Sequence, residues 1–311
     1  MKSPIVAIQQ FDLNGLESLS DATLMSYLDG QFTPDELQGY MRFKERIAQE
    51  LPQHPVFTQN HFLDWFSGEN LDDYHVQHFL IQFAIFAEGI AHAQFGQMQA
   101  LDSAQQAAIE DMMSEGFSSN EPNPFSQLNF TIQKNLSQNG NGTLSNYTDV
   151  KEHLMEGGLL RYMTPHYSLI AKVAEHLGMP FELLGQKELA TENTAFVCKE
   201  MIKHYSHPDP EVSFAAAFAM EFWTEQGFWD QILAGLIRYK HTKGIADFPV
   251  AIFTWNGKHQ DAYETARMKK LEHYYFNHVV NEEHFINAAD DLLDTIMLFW
   301  EGLFSDRKLI H

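Results

Sequence analysis

Apolar residues recur at three- and four-residue spacing along most of this chain, and no long run alternates with a period of two. That spacing places the apolar side chains of a segment on one helical face and leaves no half-buried strand to pair. It predicts helices over Leu37–Leu51, Tyr74–Leu101, Tyr167–Leu177, Phe196–Tyr205, Phe214–Tyr239 and Leu271–Phe304. Local signals agree. Thr33-Pro34-Asp35-Glu36 sets a capping hydroxyl before a proline and acids in a first turn, and Thr164-Pro165 repeats the device. Gly178 and Gly244 stand where helices should stop. Only Phe248–Trp255 reads as a short strand or extended loop. The expected fold class is all-α.

The 311 residues read as a single helical domain over 1–311, with a long loop or lid inserted at about 114–147. That insertion is rich in Ser, Asn, Gly, Pro and Gln. Its Asn-x-Ser/Thr matches at Asn129, Asn135, Asn141 and Asn146 read as products of that composition. Twenty basic against 42 acidic residues give a net charge of −22, which disfavours nucleic acid and anionic membranes as partners. Apolar stretches such as Ser213–Met220 fall far short of the roughly 18–20 residues that span a bilayer. The N-terminus has no signal-peptide pattern. The lone Cys198 makes no internal disulfide, so the expected compartment is the cytoplasm, and the thiol reads as a small apolar core residue before a nucleophile.

No Gly-rich phosphate loop and no Gly-x-Ser-x-Gly elbow is present. What remains is a set of carboxylates and histidines on apolar helices, where a charge costs several kcal/mol unless it is paired or holds a metal. One cluster is Glu156 with His166, in MEGGLLRYMTPHYSL. A second is Glu221 in AAAFAMEFWTEQGFW, among neighbours that imply burial, with Glu225 one turn on. A third is HYYFNHVVNEEHF, offering His273, His278, Glu282, Glu283 and His284 on one predicted helix. Glu88 in QFAIFAEGIAHAQF pairs with His92 at i, i+4, either as a local helix pair or as a substrate anchor or auxiliary ligand. Glu and His are donors that iron and manganese accept where thiolates are lacking. Taken singly, each also has an ordinary reading as a solvent-facing or capping residue.

Together these strings resemble the heme-oxygenase-like diiron oxidases over roughly residues 45–300. HPVFTQNHFLDWFSGENLDDYHVQHFLIQFAIFAEGIAH is similar to that family's early helices. HYSLIAKVAEHLGM and AAAFAMEFWTEQGFWDQILAGL are similar to its middle ones. The resemblance implies a heme-oxygenase-like bundle, often dimeric, with two Fe(II) per chain. It implies O2 as co-substrate and oxidation of a small amino-acid-like or fatty-acid-like molecule. Glu156, His166 and Glu221 would be ligands, completed by His278, Glu282 and His284, with Glu225 and Glu88 as auxiliary catalytic candidates. It also implies a third ligand helix that is loosely held until metal arrives.

The third stretch departs from the family's spacing of His, acid four on and His three further. From His278 the acid is Glu282, but position 285 is Phe, and His278 and His284 face about 120° apart on a regular helix. Either all three turn inward on a distorted helix, or a reduced set of Glu156, His166, Glu221 and His284 holds one metal. A cofactor-free or hydrolytic enzyme similar to thiaminase-II-like or pyrroloquinoline-quinone-synthase-like proteins is the rival reading, with Glu221 as acid or base. A non-catalytic helical binding protein is the other.

Overall fold

A computed structural model describes residues 19–100, 172–246, 248 and 260–308. The main helices are α1 (Asp21–Leu28), α2 (Pro34–Glu50), α3 (Pro55–Thr58), α4 (His61–Gly68) and α5 (Asp73–Ala100). After them come α6 (Glu192–Tyr205), α7 (Pro210–Glu225), α8 (Phe228–Lys243), α9 (Gln260–Asn277) and α10 (Glu282–Asp306). No strand occurs among the described residues, so the fold is all-α as the periodicity predicts. None of the described helices is long and apolar enough to cross a membrane. The insertion at 114–147, the stretch 249–255, and Glu156 and His166 all lie outside the described residues.

The helix ends form where local chemistry places them. At α2, Glu36 N–H donates to Thr33 Oγ1 at 3.3 Å and Thr33 N–H donates to Glu36 Oε2 at 2.7 Å, a reciprocal capping box. Gly244 closes α8 in the left-handed region, with φ 67°. Two predicted helices are each split in the structure. Phe214–Tyr239 breaks into α7 and α8 at Gly227, whose φ of 80° suits glycine alone. Leu271–Phe304 breaks into α9 and α10, because Asn281 turns out of the helix and its side chain accepts from His284 N–H to start α10.

Packing is centred on α5, which is buried around most of its circumference and lies chiefly on α6. Helix α7 packs on α10 and α8 on α4. Between them lies an aromatic core. Trp300 is fully buried, with ring centroids 5.5 Å from Phe62, 5.9 Å from Phe228 and 6.1 Å from Trp223. Phe86 of α5 stacks on Phe299 of α10 at 4.4 Å. Such rings bury large apolar areas and add pair energies of about 0.5–1.5 kcal/mol each.

Candidate functional site

Helix α5 carries several buried or half-buried polar side chains, and most are satisfied. Gln82 Nε2 donates to Leu189 O at 2.8 Å, and Gln82 Oε1 accepts from Thr191 N–H at 3.0 Å. Gln97 Nε2 donates to Ser213 O at 3.0 Å. Glu88 and His92 differ. Glu88 is 5% exposed, and its Oε1 stands 3.8 Å from His92 Nε2, beyond hydrogen-bond reach. Glu88 Oε2 and His92 Nε2 are both buried without a hydrogen-bond partner. An unmet buried polar atom costs roughly 1–3 kcal/mol, more when charged. Glu211 Oε1 and Trp300 Nε1 share that state, but among the described residues only at Glu88 and His92 do two such atoms stand on adjacent turns. The flanking residues on the same face, Ala84, Ile85 and Ala91, are buried and apolar.

Cys198 of α6 adjoins this pair. Its Sγ lies so near Gly89 that a side-chain carbon there would stand 2.7 Å from the sulfur. Burial, and then the charge of Glu88, push the thiol pKa up to about 12. The sulfur is therefore a neutral packing group, in keeping with the reading of Cys198 as a core residue.

The α7 carboxylates are occupied otherwise. Glu221 is half-exposed, where its neighbours in sequence predict burial, and its Oε1 accepts from Lys270 Nζ at 2.7 Å. Glu225 is buried, and its Oε2 takes Arg267 Nε at 2.9 Å and Nη2 at 2.7 Å. Burial raises the Glu225 pKa, with the guanidinium opposing. Phe214, Phe218, Glu221 and Glu225 form one stripe at i, i+4, i+7 and i+11, and that stripe faces α9.

The third cluster does not assemble. His278 lies in the α9–α10 turn, exposed, with its ring stacked on Tyr274 at 4.4 Å. Glu282 pairs with Arg46 at 3.7 Å. His284 Nε2 pairs with Asp209 Oδ2 at 3.0 Å on the surface. The expectation that all three turn inward from one helix is corrected by the break at 278–281. Once Asn281 caps a new helix, these side chains no longer share a face.

Nor do Glu88 and Glu221 meet. Helices α5 and α7 run antiparallel, with Phe86 against Trp223 and Gln97 against Ser213. At about 100° per residue, Glu88 lies about 160° round α5 from Phe86, and Glu221 about 160° round α7 from Trp223. Each carboxylate points away from the other's helix. Among the described residues, no three His, Cys, Asp or Glu side chains gather in a group able to hold a metal. The sequence reading missed Arg267 and Lys270. Their signal was present, since two cations three residues apart in ETARMKKLEHYY suit two acids four apart on a facing helix. No known protein family, no curated protein sequence and no solved structure matches this chain.

Proposed function

We propose that this chain is an O2-dependent, non-heme-iron oxidoreductase acting on a small molecule, with its metal anchored on α5 by Glu88 and His92. The observation that carries the reading is the pair of buried, unpartnered atoms Glu88 Oε2 and His92 Nε2. A carboxylate and an imidazole are two of the three donors in the two-His, one-carboxylate arrangement that suits ferrous iron. Of the other candidates, Glu156 and His166 lie outside the described residues. Glu221, Glu225, Glu282 and His284 have protein partners, and His278 lies exposed against Tyr274, so they do not fit the second iron that the resemblance implies.

Iron held at Glu88 and His92 would supply a redox-active centre through which electrons pass from the substrate to O2. The chain's own contribution is local. The Glu88 carboxylate would offset part of a bound cation's charge, and the His92 ring would offer a nitrogen. Buried Ala84, Ile85 and Ala91 give Glu88 an apolar setting, which would strengthen its hold on a cation. The same Glu–His couple also suits acid–base work without a metal. The ion pair at Glu221 favours that second reading, because it occupies one of the expected metal donors.

Anaerobic titration of the full chain with Fe(II) decides between them. The expected result is about one iron per chain, with affinity reduced more than about tenfold in Glu88→Gln and in His92→Ala while helical circular dichroism is unchanged. A wild-type chain that takes up no iron sinks the iron reading and leaves the acid–base one.

A further inference from the structure

We infer that protein cations occupy the α7 carboxylates: Lys270 of α9 stands at Glu221, the ligand expected on α7, and Arg267 stands at its neighbour Glu225, so α9 docks on α7 without metal. For the metal count this rests on the α5 reading above; for the docking of α9 it stands alone.

Three observations carry it. First, Arg267 is 3% exposed and both of its contacting nitrogens reach one carboxylate oxygen of the equally buried Glu225. Second, its guanidinium carbon lies 4.8 Å from the ring centres of both Phe218 and Phe222, so the cation is sandwiched as well as paired. Third, Lys270, one turn further along α9, repeats the pairing one turn back along α7, with its ammonium 2.7 Å from Glu221. The two pairs form an antiparallel ladder, continued by Tyr274 of α9 stacked on Phe214 of α7 at 4.1 Å. A divalent ion on Glu221 would share one carboxylate with an ammonium and be repelled by it. On Glu225 it would have to displace a buried guanidinium held between two aromatic rings. The ladder therefore excludes metal from α7. It also ties α9 to α7 with no metal between them, unlike the loosely held ligand helix that the resemblance implies.

The test is a double-mutant cycle on the full chain in excess chelator, read by thermal unfolding. Glu225→Gln and Arg267→Met should each lower the midpoint by roughly 5–10 °C, because each strands a buried partner. The double variant should recover at least half of the summed loss. Strictly additive losses would overturn the inference. If either single variant fails to fold, the milder Glu221→Gln and Lys270→Met cycle replaces it, and the same coupling sign decides. Iron counting gives the second reading. Glu221→Gln should hold as much Fe(II) as the wild type, and loss of one iron on that substitution would show Glu221 to be a ligand. A wild type that binds no iron defeats the proposed function but leaves the chelator cycle to judge the ladder.

Discussion

Glu88, Glu221 and Glu225 occupy similar apolar settings in the sequence and meet different surroundings in the structure. Glu221 finds an ammonium, Glu225 a sandwiched guanidinium, and Glu88 an imidazole just out of hydrogen-bond reach. What separates them is which helix each one faces, a quantity no local window contains. Cys198 is the converse case, since its reading as a packing residue followed from its solitude and is matched by its contact with Gly89. With its pKa near 12, almost no thiolate exists at pH 8. Iodoacetamide should label native Cys198 more than about a hundredfold more slowly than the unfolded chain. Equal rates in the two states would show the thiol to be open and ionisable.

Helix ends and helix faces differ in how far the sequence carries them. The start of α2 at Pro34 and the stop of α8 at Gly244 depend on a few adjacent residues, and both form as their capping chemistry dictates. The breaks at Gly227 and Asn281 depend on packing as well, because the apolar pattern runs on through both. Close approach between helices is also settled at this scale. Gly235 of α8 faces α4 so tightly that an added side-chain carbon would stand 2.5 Å from the carbonyl oxygen of Phe66. Backbone cannot swing aside as a side-chain tip can. Gly235→Ala should therefore cost about 1–3 kcal/mol despite alanine's better helix propensity, as measured by denaturant unfolding. A neutral or stabilising outcome would mean that α8 slides on α4 freely.

For the whole molecule, the acidic surface leaves the pH response of folding to groups whose environment changes most. His78 and His204 both have pKa values lowered, first by burial, with carboxylates opposing: Asp306 at His78, and Asp291 and Glu200 at His204. In the unfolded chain each takes up a proton near the ordinary histidine value of about 6.5. Between that value and the lower folded one, the unfolded state binds more protons. Stability is thus complete above about 6.5 and falls as the pH drops through and below it. The melting midpoint should decrease from pH 7.5 to pH 5.5, and a His78→Gln, His204→Gln double variant should show a shallower decrease. An unchanged slope would assign the response to other groups. The sequence by itself determined the all-α class, the capped ends of α2 and α8 and the placement of acids on apolar helices, because periodicity and caps are local. It did not determine which acids are paired. Only the tertiary structure set Lys270 against Glu221 and Arg267 against Glu225, dispersed His278, Glu282 and His284, and left Glu88 Oε2 and His92 Nε2 buried without a hydrogen-bond partner. The reason is physical: the fate of a buried charge is decided by what lies across the interface, and that partner is 42 residues away for Glu225 and 49 for Glu221.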